Sequence, residues 1–278
     1  MIRFLNKLCL RLELFCKKKR INIFATIYIN FRLLPLSQAC LFPIYVYGKV
    51  NYVRLQGRCV FQKCKIIRGM VKIGRHNDYY TDAKRNTLFI QNGLLIFHGY
   101  CNISSGILIK LINGELDFGD KVWIGNSVTI DCCHKIIIGD GSSITFNCFL
   151  SDSNHHYLID KNMKVKKKEG LIMLGKNNWV GNNTTITKGT LTSDGTIITH
   201  GSLVNKDFSS IGDSENSIAK TSLMLSGTPA KIIAYGTRRI FDSKIEKEID
   251  DYFKLNPQES TFKFEQTFHD EVEVKYFL

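Results

Sequence analysis

The sequence predicts an all-β solenoid, a parallel β-helix, and three observations carry that prediction. Leu174, Val180, Ile186, Ile198 and Val204 fall on one six-residue frame whose only non-aliphatic member is Thr192. Gly175 and Gly181 directly follow two of those aliphatics. Thr184, Thr190, Thr196 and Ser202 sit four places after successive frame positions. A period of six fits neither an amphipathic helix nor strand alternation, so it calls for a repeat architecture. Physically it is a coil with a corner about every six residues. Aliphatics point inward from short flat strands, and Gly, Asn and Asp take the corners, where positive φ costs least. Stacking buries the aliphatics in continuous files, and no single repeat is stable alone.

In chain order, residues 1–49 form a helical lead-in, 50–234 the coil with an inserted loop at 151–173, and 235–278 a C-terminal helix and tail. Met1 to Arg20 reads as a basic amphipathic helix, with Ile2, Leu5, Leu8, Leu12 and Phe15 on one face and Lys17-Lys18-Lys19-Arg20 at its end. Two readings stand for it: a helix lying on an anionic membrane surface, or one covering the first coil or packing on a neighbouring subunit. Its charges are spread and no small-residue cleavage site follows, which excludes a signal peptide. Ile21 to Gly48 is apolar, but Pro35 and Pro43 interrupt it, which argues against a spanning helix.

Val50 to Asp117 is ragged, and Asp78 to Asn86 reads as an inserted polar loop. Regularity returns at Phe118, Ile124 and Ile130, slips by two residues near Ile136-Ile137, and resumes at Ile138, Ile144 and Leu150. Such a slip predicts a bulge at one corner. Ser151 to Leu171 breaks the repeat entirely and holds His155, His156 and several lysines, including Lys166-Lys167-Lys168. An excursion of this length from a rigid scaffold is a functional candidate. Phe208 to Ser222 is irregular again. Phe241 to Phe253 has helical spacing, with Ile245, Ile249 and Phe253 on one stripe, and predicts a terminal cap.

The pattern resembles the left-handed β-helix hexapeptide-repeat acyltransferases, especially those that O-acetylate sugars of bacterial surface polysaccharides. The matching residues are the frame itself, Asn178-Trp179-Val180-Gly181, Gly201-Ser202-Leu203-Val204-Asn205-Lys206-Asp207 and Ser226-Gly227-Thr228-Pro229-Ala230-Lys231. The match runs from about Phe118 to Lys231, is weaker from Ile29 to Asp117, and is absent from the tail. Left-handedness is implied by the resemblance alone, because parallel crossovers are ordinarily right-handed. The resemblance also implies a homotrimer, while helical caps at the two ends of the solenoid are expected from the helical spacing of the terminal segments.

The chemistry it implies is transfer of an acetyl group from acetyl-CoA to a sugar hydroxyl. That step needs a base for the hydroxyl proton, and histidine suits because its pKa lies near working pH. Asp152-Ser153-Asn154-His155-His156 resembles the stretch that precedes the family's catalytic histidine. Aligning its polar pair places the base on His156, with His155 the alternative. Asp152 would orient the imidazole and Asn154 would contact the carbohydrate acceptor. By position, Trp179 and Asn182 would flank the acyl arm, and Gly201 and Ser202 would offer backbone to pantetheine. Asn205, Lys206 and Lys231 would reach the nucleotide phosphates, while His200 replaces a small residue beside the carrier.

No metal is expected, because the family's zinc enzymes place two histidines five apart and no such pair occurs. The net charge of +13 implies an anionic partner. No aromatic-and-basic nucleic-acid motif appears, which ranks nucleic acid low. Nine scattered cysteines read as small apolar fillers in a reducing, cytoplasmic setting, peripheral at the membrane's inner face if the first helix binds it. Two further readings remain: an N-acetyltransferase of a nucleotide-linked amino sugar (or a serine or drug acetyltransferase), and a non-catalytic basic scaffold.

Overall fold

A computed structural model of the chain describes residues 21–75, 85–209, 222–265, 270, 272–274 and 277. The expected helix over Met1 to Arg20, the polar loop near Asp78 and most of the irregular segment after Phe208 lie outside the described residues.

The strands pair in parallel, and their order generates a β-helix. One sheet stacks β1 (Ile44–Val46), β3 (Val71–Arg75), β5 (Cys101–Ser104), β8 (Val122–Ile124), β11 (Ser143–Ile144), β14 (Trp179–Val180), β16 (Ile197–Ile198) and β18 (Leu223–Gly227). The second sheet divides at β4 (Asn86–Phe97), which lies beside β2 (Val50–Phe61). The first half of β4 pairs with β6 (Leu108–Ile112), and that row continues through β9 (Thr129–Cys132), β12 (Phe149–Ser151), β15 (Thr185–Thr187) and β17 (Leu203–Val204). Its second half pairs with β7 (Glu115–Phe118), followed by β10 (Lys135–Ile138) and β13 (Ile172–Leu174). The chain therefore passes through three rows in each turn.

Register aligns the predicted frame into files. In the first sheet Val46, Ile73, Ile103, Ile124, Ile144, Val180, Ile198 and Leu225 are successive partners, and all are buried. Fully burying one such side chain contributes about 1.5–3 kcal/mol, so the file outweighs what any single rung supplies. The third row begins with larger members. Phe61, Phe97 and Phe118 stack with centroids 5.6 and 5.1 Å apart. Thr192, the one polar member of the frame, is also buried, and its hydroxyl donates to Asn178 Oδ1 at 2.6 Å. Burial there is tolerated because the hydroxyl is satisfied.

Gly139 stands where two coils touch closely: a Cβ there would lie 2.6 Å from the Gly175 carbonyl carbon and oxygen. The next residue, Asp140, accepts from Asp120 N at 2.9 Å, and one coil earlier Asp120 accepts from Tyr100 N at 2.8 Å. Asn177, Asn183 and Asn147 hold positive φ at corners, the conformation expected of them. The two-residue slip is located at the corner between β9 and β10. Cys133 and His134 occupy it, while β10 stays in register with β7 and β13 on either side.

Helix α1 (Ile23–Leu33) begins at Asn22, whose side chain accepts from Ala25 N at 3.0 Å, and ends ahead of Pro35. It lies on the first coil: Ala25, Ile29 and Leu33 are buried. Asn30 Nδ2 donates to Ile44 O at 2.7 Å, and Val46 N donates to Thr26 Oγ1 at 3.0 Å. A short helix α2 (Leu36–Ala39) follows. At the other end β18 turns through cis Thr228–Pro229 into antiparallel β19 (Ala230–Tyr235). Helix α3 (Ser243–Leu255) has no buried residue, and its Tyr252 ring meets Phe262 of the tail at 4.9 Å. Among the described residues no helix is long and apolar enough to cross a membrane.

Candidate active site

The excursion leaves the coil at β12 and returns at β13. Two antiparallel bridges, Ser153 with Glu169 and Ile159 with Val165, fold it on itself. Lys188 Nζ ties it to the scaffold by donating to the Lys167 and Lys168 carbonyls at 2.8 and 3.1 Å.

Asp152, the first residue after β12, is fully buried. Its carboxylate accepts from Cys133 N at 2.7 Å, His134 N at 2.8 Å and the Cys132 thiol at 3.3 Å. The two N–H donors belong to the enlarged corner below it and the thiol to the last residue of β9, so these contacts tie Asp152 to the scaffold. The carboxylate beside a loop imidazole is Asp131, whose Oδ2 is 2.7 Å from His155 Nε2. Lys110 Nζ reaches the same oxygen at 3.1 Å, so Asp131 is already answered by a resident cation.

Cys133 Sγ lies 4.0 Å from His155 Nδ1. Asp131, Cys133 and His155 offer ligand-type atoms within 4.8 Å of one another, in a place that Lys110 already neutralises. Burial pushes the Cys133 thiol up, and the Asp131 and Asp152 carboxylates add to it, so the thiol stays protonated at neutral pH.

His155 holds φ at 59°, and Ser153 Oγ accepts its backbone N–H at 2.9 Å. That bend turns the next residue outward. The His156 imidazole is exposed and has no hydrogen-bond partner among the described residues. Asn154 is exposed beside it, with its N–H donating to Lys168 O at 2.9 Å.

The residues expected at the acyl carrier divide into two groups. Trp179, Asn182 and His200 line one open groove of about 270 Å³, with Thr145, Ile197 and Met224 among its other walls. Its surface is mostly apolar, and Gly181 lies at its floor, where a Cβ would come within 2.6 Å of His200 N. The Arg239 guanidinium sits 5.3 Å from the Trp179 ring centroid, a cation–π contact at the groove's rim. The other five lie beyond that lining. Ser202 is buried and its hydroxyl accepts from Gly227 N at 3.3 Å, while Gly201 O accepts from the Thr228 hydroxyl at 3.2 Å. Asn205, Lys206 and Lys231 are exposed, and Lys206 Nζ lies 5.3 Å from the Phe208 ring.

The groove lies on the first sheet, at β14, β16 and β18 and the turns that leave them, whereas the histidines lie beyond the far end of β12 in the second sheet. Gly181-Asn182 enters β15, and the excursion leaves β12 in the neighbouring coil. Asp131, Lys110 and Arg239 were not anticipated as site residues. The available signal for Asp131 was its place on an outward strand position one coil before the excursion departs. Nothing in the repeat marks Arg239.

No family model matches the sequence, and no curated protein does. Among solved structures the chain is similar to the polySia specific acetyltransferase NeuO, at 20% identity and TM-score 0.53, covering 80% of this chain and 91% of that one. AntD, an N-acyltransferase from Bacillus cereus, is similar at 13% identity and TM-score 0.37, covering 77% and 88%. The hexapeptide-repeat containing acetyltransferase VCA0836 from Vibrio cholerae is similar at 20% identity and TM-score 0.33, covering 54% and 76%. The likeness to NeuO, which spans most of both chains, shows that this chain shares its fold.

Proposed function

We propose that this protein is an acetyl-CoA-dependent O-acetyltransferase acting on a sugar hydroxyl of a surface polysaccharide or its precursor. The observation that carries the reading is the convergence of Trp179, Asn182 and His200 on one groove. The resemblance assigns these three to the acyl carrier, and they come from two successive coils. The histidine-bearing excursion that leaves β12 supports it, as does the fold shared with NeuO, a polySia specific acetyltransferase.

The coil winds left-handed. Helix α1 caps its first end and α3 the other, which divides the chain into 1–49, 50–234 and 235–278. Three chains assemble so that the groove of one faces the excursion of its neighbour. His156, whose imidazole is exposed, takes the proton of the acceptor hydroxyl as that oxygen attacks the thioester carbonyl. The tetrahedral intermediate then collapses, the C–S bond breaks, and the proton passes to the leaving CoA thiolate. Asn154 contacts the acceptor. Gly201 and Ser202 border pantetheine, and Asn205, Lys206 and Lys231 meet the phosphates as point charges. The chain works in the cytoplasm.

Labelled acetyl-CoA offered with sugar hydroxyls, amino sugars and serine tests the reading, and transfer to a sugar hydroxyl is expected. His156→Ala should keep the fold and lose about 10²–10⁴-fold in rate, the usual worth of a general base. Transfer to nitrogen alone would move the protein to the N-acyltransferase reading. No transfer, together with no thermal protection by acetyl-CoA, would overturn the enzyme reading altogether.

A further inference from the structure

Charge is distributed very unevenly along the chain. Residues 1–77 hold sixteen Lys and Arg against a single acid, Glu13, whereas the remaining 201 residues hold twenty-two against twenty-four. The first part is therefore +15 and the rest −2. In the described structure this charge gathers at one end. Lys49, Arg54, Arg58, Lys63, Lys65 and Arg68 are all exposed, on the first coil or the turn that leaves it. No carboxylate occurs in the sequence between Glu13 and Asp78.

Apolar surface gathers at the same end. Helix α1 buries Ala25, Ile29 and Leu33 against the first coil, yet its opposite face is Ile23, Phe24, Ile27, Tyr28 and Phe31. Phe24 is 87% exposed, and Leu36 extends the patch at 70%. A helix that is apolar all round is ordinarily covered on all sides. Among the described residues, only one side is covered. Contiguous apolar surface of this kind marks a contact face.

We infer that this end of the molecule docks on an anionic lipid bilayer. The outer face of α1 enters the boundary between headgroups and acyl chains, and the first-coil cations lie over the anionic headgroups. Combined charge and apolarity select this occupant. A nucleic acid would use the cations but leave Phe24 and Leu36 in water. A second copy of the same face would bring two strongly positive surfaces together. The surface is distinct from the 1–20 segment, and its docking does not depend on the acyl-transfer reading.

The full chain is sedimented with vesicles of phosphatidylcholine alone, or with about a third phosphatidylglycerol, at low and high salt. Binding is expected only to the anionic vesicles and should weaken as salt rises. Phe24→Ser with Phe31→Ser should weaken it at least about tenfold by removing buried apolar area. Lys63→Glu, Lys65→Glu and Arg68→Glu together should weaken it about a hundredfold, since each cation near such a surface contributes about fivefold. All five side chains are exposed, so melting should be unchanged, and the 1–20 segment stays intact in both variants. Unaltered binding by both variants would overturn the inference, as would equal binding to neutral vesicles. It also falls if the aromatic variant changes the native mass instead of vesicle binding, or if the chain retains RNA but no vesicles.

Discussion

Two corners of the coil use one device for opposite ends. At the plain corner after β10, Asp140 collects the N–H of Asp120 from the coil before it, and the chain goes straight on into β11. At the corner after β12, Asp152 likewise collects N–H groups from the coil before it, here those of Cys133 and His134. There the chain does not go on; it leaves for the excursion that carries both histidines. Burial separates the two. Asp152 is fully enclosed, while the Asp140 side chain is 47% exposed and shared with Lys176 at 3.0 Å. A carboxylate that closes an ordinary rung can stay wet, whereas one that anchors a departing loop is sealed under it.

The largest expected effect follows from that burial. Asp152→Ala leaves three donors unpaired, two of them part-buried backbone N–H groups, and should cost about 3–5 kcal/mol in sum, since each stranded donor costs about 1–3 kcal/mol. Denaturant melts would read it. A loss under about 1 kcal/mol would make the two corners equivalent in energy and undo the contrast. Next in size is Gly139→Ala, whose Cβ would meet backbone of the following coil rather than a movable side chain. Overpacking of this kind costs about 1–3 kcal/mol, and it should appear in the melting temperature.

Thr192→Val sharpens the comparison from the side of the regular rungs. It would make the hexad frame wholly aliphatic, and by pattern alone it should stabilise. The structure predicts the reverse. Thr192 Oγ1 accepts from Gly175 N at 3.1 Å and donates to the buried Asn178 amide, so the change leaves polar groups unpaired. A loss of about 1–3 kcal/mol is expected in thermal or denaturant melts. A gain would mean that Asn178 finds another donor.

The late coils were legible because their strands are two or three residues long and every inward position returns on the six-residue count. The early coils were not, because β2 and β4 each run for twelve residues through two rows. Register shifts near Tyr52 and Gln56 further mask the count. At the site, the excursion itself was plain as a break in the repeat. Its internal wiring was hidden by distance. Asp131 stands 24 residues before His155 on another strand, and only stacking of β12 on β9 brings the two together. Asp152 shows the complementary difficulty. One residue type serves orientation of an imidazole and backbone bracing alike, and the sequence does not say which donors will surround it.

The smallest effect concerns pH, and it tests whether the plain corner owes anything to charge. Burial alone would raise the pKa of Asp140, but the Asp120 N–H and the Lys176 ammonium outweigh it, so the carboxyl titrates below its ordinary range. A depressed folded pKa contributes stability that is complete above the unfolded value, about 3.9, and is lost as pH falls through the folded one. Asp140→Asn keeps an oxygen for Asp120 N but abolishes the titration. The wild-type advantage over this variant should therefore be constant near neutrality and shrink below about pH 4. An advantage that persists unchanged in acid would show that the corner is held by its hydrogen bond alone. The carboxylate under the excursion would then be the one whose charge the fold requires.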